Sequence, residues 1–204
     1  MYNDPFNTYY LADDGRVYAS ARQLVVNNSD ADFIAWSSGG LIPAMWPRDA
    51  DGEQTEAALQ RAIDGLRQFV NLAFYTANAR QTKMQGDIFV NGIRFSTDPL
   101  TFGSLNSAYI YTQSNTGAVF SWKLPDGGFI TLNKADTDAL HAASNAFAQE
   151  CFACEDATLD GIEAGSITTR EQVDAAFAAV SNSFTGLRDV SELKPRHGAR
   201  VAKK

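Results

Sequence analysis

The sequence predicts an α+β fold: a small N-terminal β module, a long connecting helix, and then two β-hairpins packed with two C-terminal helices. Three observations support this prediction: two strong hairpin turns, one helix-length segment of periodic apolar residues, and two helix-capping sequences. They divide the chain into a β module (1–53), a connecting helix (54–85), an α+β domain (86–186) and a basic tail (187–204).

The N-terminal module begins with a hairpin. Asp14-Gly15 separates two short runs rich in aromatic and β-branched residues, which is typical of a hairpin turn. Ser29-Asp30 then precedes a short apolar stretch, and a capping side chain at this place predicts the start of a helix. We therefore expect a small β element followed by one helical segment.

The connecting helix is predicted from apolar residues that recur at alternating steps of four and three, the spacing of a coiled-coil seam. These residues are Leu59, Ile63, Leu66, Val70, Ala73 and Ala77. A helix of about 30 residues spans roughly 45 Å, which is long for a compact domain of this size. We predict that this face binds a second copy or a partner protein. The alternative is an amphipathic helix that lies on its own domain.

The α+β domain begins with the strongest short-range signal in the chain. Asn91-Gly92 lies between two β-rich runs, and a type I′ hairpin turn needs positive φ at both central positions. Residues 125–128, Pro-Asp-Gly-Gly, supply a second hairpin turn. Asn133 then caps a helix that carries Asp136 in its first turn.

The last helix is predicted to begin at the capping box 168–171, Thr-Thr-Arg-Glu. Val173, Phe177, Val180 and Phe184 form one apolar stripe at helical spacing. Alanines between these positions allow a neighbouring element to approach closely.

The sequence contains no motif of an enzyme. We find no nucleophile–base signature, phosphate-binding loop or dinucleotide motif. Cys151 and Cys154 form a Cys-x-x-Cys, but they lie about five turns into a predicted helix, away from the N-terminus that lowers thiol pKa values. We interpret them as packing residues, and His141 as a surface or half-buried helical residue. We therefore expect no catalytic activity, no cofactor and no metal.

The charge distribution is uneven. Apolar residues make up 45% of the chain and charged residues 20%, which predicts a soluble protein with a core. The net charge is −7, and residues 194–204 contain five basic and no acidic residues. An acidic body argues against nucleic-acid binding, and no apolar run has the length of a membrane span. The N-terminus lacks a secretory signal, so we expect synthesis in a cytosol.

The basic tail is predicted to be a docking element; the alternative is a solubilising end. Its charged residues are Lys194, Arg196, Arg200, Lys203 and Lys204.

The order hairpin, hairpin, helix resembles a domain-of-unknown-function family found in proteins encoded beside bacteriophage tail-fibre genes. The resemblance covers about residues 62–163. The matching residues are Gly86, Val90-Asn91-Gly92, Thr97-Asp98, Trp122, Asp126-Gly127, Phe129-Ile130-Thr131-Leu132 and Cys151. One departure is Pro99, at a place where the family usually opens a helix. Because proline is tolerated in the first helical turn, a helix there is still compatible with the sequence.

The resemblance implies a non-catalytic structural or adaptor protein of the phage tail, associated with tail fibres or the baseplate. Such a protein is assembled in the host bacterial cytoplasm, is located in the virion tail, and is expected to be a homo- or hetero-oligomer. One alternative is a tail-fibre assembly chaperone, which the sequence does not separate from an adaptor. A second alternative, a glycan-binding or glycan-degrading tail tip, depends on Trp36, Trp46 and Trp122.

Overall fold

The computed structural model describes residues 4–188, and the chain divides into two compact units. The first comprises Met1–Ala77 with Thr168–Arg170, and the second Asn78–Ile167 with Glu171–Lys204. The α+β class predicted from the sequence is confirmed.

The first unit contains a four-stranded sheet with the order β3-β2-β1-β4. Its strands are β1 (Tyr9–Leu11), β2 (Arg16–Ala19), β3 (Leu24–Asn27) and β4 (Ala44–Met45). β1 and β2 are antiparallel, and Gly15 has φ +87° in the turn between them, so the predicted hairpin is confirmed. β4 runs parallel to β1 at one edge of the sheet.

Consecutive strand residues point to opposite faces of the sheet. Because both sets contain apolar side chains, each face of the sheet packs against a hydrophobic cluster. On one face, helix α1 (Ala31–Ser38) packs Phe33 against Tyr9 and Val17. The Asp30 side chain accepts the Phe33 N–H and caps α1, as predicted. On the other face, Tyr18 packs in one cluster with Trp46, Leu59, Ile63 and Val70, which all lie in the segment that follows β4.

The single helix predicted over 54–85 is wrong. This segment forms helix α2 (Glu56–Ile63), a 3₁₀ turn (Asp64–Leu66) and helix α3 (Leu72–Met84). The break is stabilised by Gln60, whose Nε2 donates to the Gln68 carbonyl and whose Oε1 accepts the Val70 N–H, both at 2.9 Å. These bonds satisfy backbone groups that the helix no longer pairs. The two units divide within α3, between residues 77 and 78.

The second unit contains both predicted hairpins. The strands are β5 (Asp87–Val90), β6 (Ile93–Ser96), β7 (Phe120–Lys123) and β8 (Phe129–Leu132). Asn91 and Gly92 have φ +49° and +77°, which confirms the type I′ turn between β5 and β6. Gly127 has φ +89° in the turn between β7 and β8.

The remaining helices are α4 (Pro99–Ser114), α5 (Lys134–Glu163) and α6 (Arg170–Ala179). α4 begins at Pro99 with Asp98 as its cap, and α5 has the Asn133–Asp136 capping box. The core of the unit joins both hairpins to α4 and α5. Its buried residues include Ile88, Val90, Phe95, Leu105, Ile130, Leu132, Leu140 and Phe147.

Val180 and Phe184 do not lie on the last helix, which corrects the predicted stripe. Helix α6 ends at Ala179, and Ser183–Phe184 form strand β9, parallel to β5. The reason is the Asn91 turn: the Asn91 N–H donates to the Phe184 carbonyl at 3.0 Å, and Asn91 Nδ2 donates to the Leu187 carbonyl at 2.5 Å. These long-range bonds outweigh the local helical spacing.

Among residues 4–188, no helix combines the length and the apolar character needed to cross a membrane.

Candidate functional site

The predicted partner-binding face is largely a core. Leu59, Ile63 and Val70 are fully buried in the first unit, in the cluster that contains Tyr18 and Trp46. They pack on their own sheet, so they are not available to a partner, and this prediction is wrong for these three residues. The spacing was misleading because a seam and a core-facing helix share the same apolar periodicity.

The remaining members of that face do not form one surface. Leu66 is partly buried against the same cluster, whereas Ala73 is exposed and Ala77 is half-buried on α3. The basic residues of the predicted docking tail, Lys194, Arg196, Arg200, Lys203 and Lys204, lie outside the described residues. The docking role of the tail therefore stays a prediction.

Thr97 and Asp98, which carry part of the family resemblance, have structural roles. The Asp98 carboxylate accepts the backbone N–H groups of Leu100 and Thr101 at 2.9 and 3.0 Å. It also accepts hydrogen bonds from the hydroxyls of Thr101 and Ser96. Together these hydrogen bonds lower the pKa of Asp98 to about 2, and the bond from the Thr101 hydroxyl has the largest effect. Thr97 Oγ1 donates to the Met84 carbonyl at 2.7 Å. The pair thus fixes the start of α4 to the end of α3.

Asp136 is a fully buried carboxylate that is already occupied. Arg188 Nε lies 3.0 Å from both of its oxygens, and Arg188 Nη2 lies 2.5 Å from Oδ2. The same carboxylate accepts the Asn133 N–H at 2.9 Å in the capping box. Its acceptor positions are used to attach the segment after β9 to the start of α5, so we assign it a structural role.

The two cysteines have the environment of packing residues. Burial raises the pKa of the Cys151 thiol to about 11, so it is protonated at neutral pH and is a poor nucleophile. Cys154 is half-buried, and both thiols are free. His141 stacks on Tyr109 with ring centroids 3.8 Å apart. In the described part of the chain, no group of three or more His, Cys, Asp or Glu residues is placed to hold a metal ion.

The candidate site that the structure does present is the outer side of α4. The inner side packs on α5 through Leu105, Ala108 and Thr112. The opposite side is exposed: Leu100 at 81% and Ile110 at 62%, followed by Val119 at 66% just beyond the helix. We call this set the outer α4 surface. It comprises Leu100, Gly103, Ser104, Ser107, Ile110, Tyr111 and Val119.

Sequence reasoning missed this surface, although a signal was present. Residues 99–122 contain no charged residue, in a chain of which 20% of residues are charged. A surface helix normally carries charges on its solvent side, whereas α4 is uncharged on every side. The signal is therefore the absence of charged residues from 99 to 122, in a segment that the fold leaves partly exposed.

The first unit has a smaller apolar surface of its own. Ile42 and Met45 are largely exposed, and Met45 belongs to the edge strand β4. Pro43 between them is half-buried. We call Ile42 and Met45 the β4-edge surface.

In structural terms, this is an α+β protein of two units, each of which exposes apolar side chains at its surface. Residues 71–179 match a family described as a domain of unknown function (DUF4376), and the chain belongs to that family. No curated protein and no solved structure shows significant similarity to it.

Proposed function

We propose that this chain is a non-catalytic adaptor of a bacteriophage tail, which binds fibre or baseplate proteins through exposed apolar surfaces on its two units. The single observation that carries the proposal is the outer α4 surface. The phage context comes from the sequence resemblance, in particular the two hairpins followed by a capped helix.

The outer α4 surface is suited to burial because covering it desolvates no charge. Its serine hydroxyls are already satisfied: Ser104 donates to the Leu100 carbonyl and Ser107 to the Gly103 carbonyl, both at 3.0 Å. Gly103 and the two serines are small, so a partner backbone can approach the helix closely between Leu100 and Ile110. A partner therefore gains apolar contact between Leu100 and Ile110 without leaving either serine unpaired, whereas the exposed Tyr111 hydroxyl would need a hydrogen bond from the partner.

The free energy available from covering the outer α4 surface is too small for this surface to act alone, so we expect a second contact with the partner. Leu100, Ile110 and Val119 together expose the equivalent of about two side chains, so covering them contributes about 3–6 kcal/mol. Association itself costs about 4–15 kcal/mol, so this surface alone does not hold a stable complex. The β4-edge surface on the first unit offers a second contact, as an adaptor requires.

Substitution of Ile110 by glutamate tests the proposal. A charge at the centre of the outer α4 surface should abolish co-elution with the tail-fibre protein of the same genome in size-exclusion chromatography. Ala142→Glu, at an exposed position of α5, adds the same charge and should leave co-elution unchanged. Both variants should keep the wild-type melting temperature. Co-elution of Ile110→Glu at the wild-type ratio would exclude the outer α4 surface.

An assembly chaperone, the alternative function, uses the same surface transiently. The two functions differ in what remains after assembly. An adaptor stays in purified virions at a fixed ratio to fibre protein, whereas a chaperone raises the yield of soluble fibre and is absent from particles. Quantitative mass spectrometry of virions separates them. The glycan alternative gains no support from its three tryptophans: Trp46 is fully buried, Trp122 packs against the core, and Trp36 packs on Tyr9 and Phe33.

A further inference from the structure

A cleft of about 250 Å³ lies in the second unit between the end of α3, the start of α4 and the middle of α5. Its wall is mostly apolar, formed by Met84, Pro99, Phe102, Phe147 and Ala148. Gln81 and Gln85 are exposed and lie at its mouth, whereas Ser144 and Phe147 are its most buried lining residues. The cleft therefore has a mostly apolar wall, with one serine hydroxyl among its most buried lining groups.

That polar group is the Ser144 hydroxyl. Ser144 is only 4% exposed, and its hydroxyl makes no hydrogen bond to any residue between 4 and 188. Other helical hydroxyls of the same unit are satisfied by the carbonyl four residues earlier: Ser104 on Leu100 at 3.0 Å and Thr158 on Cys154 at 2.7 Å. The Ser144 hydroxyl is open to the cleft, so it carries no penalty while the cleft is empty. A ligand that covers it without a hydrogen-bonding group would leave it unpaired, and we therefore expect the ligand to carry such a group.

The charged residue of the cleft does not select an anion. Arg80 is paired with Glu155, with Nε 2.8 Å from Oε2, although the N–H is not aligned for a hydrogen bond. Its guanidinium also lies over the Phe152 ring, 4.9 Å from the centroid. Because Arg80 is already neutralised, the ligand group that meets Ser144 is expected to be uncharged.

We propose that this cleft receives the tyrosine side chain of a partner polypeptide, an inference that builds on the adaptor function proposed above. The cleft is larger than the cavity of about 150 Å³ that benzene fills, and smaller than the roughly 300 Å³ at which pockets for drug-sized ligands begin. It therefore takes one ring with one or two attached atoms. A phenol hydroxyl both donates and accepts, so it satisfies Ser144 while the ring contacts the apolar wall.

Tyrosine also fits the kind of residue that anchors protein interfaces. Buried tyrosines are among the side chains that contribute most to binding energy, and each typically fills a desolvated pocket on the partner. A phenylalanine would fill the same volume but would leave the Ser144 hydroxyl unsatisfied. The cleft thus discriminates between the two rings by a single hydroxyl.

The test uses the full chain with p-cresol, which reproduces the tyrosine side chain, and toluene, which reproduces that of phenylalanine. Binding is followed by NMR titration. We expect p-cresol to bind about three- to tenfold more tightly than toluene, the effect of one hydrogen bond. Ser144→Ala should lower the p-cresol affinity by the same factor and leave toluene unchanged. Equal affinities for both probes, no binding of either, or an unaffected Ser144→Ala variant would overturn the proposal.

A second pair of variants separates the cleft from other parts of the surface. Ala148→Phe places a ring inside the cleft and should abolish p-cresol binding, whereas Ala146→Phe, at an exposed position of the same helix, should not. If p-cresol still binds Ala148→Phe, the phenol site lies elsewhere and the proposal is wrong.

N-acetyl-L-tyrosinamide distinguishes a polypeptide side chain from a free phenol. We expect it to bind and to compete with p-cresol. If p-cresol binds and N-acetyl-L-tyrosinamide does not, the cleft takes only free phenols, and the docking proposal fails. None of these measurements needs the tail-fibre protein, so their failure is distinct from failure of the Ile110→Glu experiment.

Discussion

Replacing Gln60 by alanine removes the side chain that bridges the break between α2 and the residues before α3. Gln60 is buried, and its amide pairs with the Gln68 carbonyl and the Val70 N–H, both at 2.9 Å. The variant leaves these two backbone groups without partners. At about 1–3 kcal/mol for each unsatisfied group, we expect the free energy of unfolding to fall by about 2–6 kcal/mol.

A continuous helix over 54–85 predicts the opposite sign. In such a helix Gln60 lies beside the seam, and alanine, which has the highest helix propensity, stabilises by a few tenths of a kcal/mol. Urea unfolding followed by tryptophan fluorescence measures the difference, because Trp46 belongs to the same core. Arg61→Ala, the exposed neighbour, is the control and should change stability little. A Gln60→Ala protein as stable as wild type, with an unchanged exchange rate of the Val70 amide, would refute the reasoning.

Three further predictions concern the second unit. Asn91→Gly keeps the positive φ of the turn but loses the two side-chain hydrogen bonds to Gly186 and Leu187 just after β9, so the free energy of unfolding should fall by about 1–3 kcal/mol in urea titrations; an unchanged midpoint would contradict this. Arg188→Met leaves the buried Asp136 carboxylate without its cation and should cost about 2–3 kcal/mol by the same assay, whereas no loss would show that the pair is dispensable. Asp98 has a lowered pKa, so its contribution is complete above the unfolded value near pH 4 and disappears as the pH falls to about 2. The melting-temperature difference between wild type and Asp98→Asn should therefore shrink between about pH 4 and pH 2, and a constant difference would contradict the assigned cause.

Local signals predicted the elements whose conformation is decided by a few adjacent residues. The Asn91-Gly92 turn needs two positive φ values that few other residue pairs adopt, so it appeared where predicted. The same holds for the Asn133–Asp136 capping box, whose hydrogen bonds are three residues apart. Asp98 and Pro99 mark the start of α4 by the same kind of local interaction, but the sequence was only compatible with a helix there, and α4 was not among the predicted elements.

Elements decided by distant partners were not predictable in this way. Apolar spacing placed Ile63 and Val70 on one face, but only the sheet that they contact decides whether that face is a core or an interface. Phe184 fitted a helical stripe, and its strand conformation depends on Asn91, far away in sequence. The Ser144 cleft requires three helices to meet, and no local pattern encodes it.

The most direct test of the proposed partner-binding role of the outer α4 surface is hydrogen–deuterium exchange of the chain with and without the tail-fibre protein that we propose as its partner. We predict that binding slows exchange in peptides covering residues 100–119 and leaves the buried segment 59–70 unchanged. Slower amide exchange in residues 59–70 with no change in residues 100–119 would contradict the account. It would indicate that the partner binds the helix face predicted from the sequence.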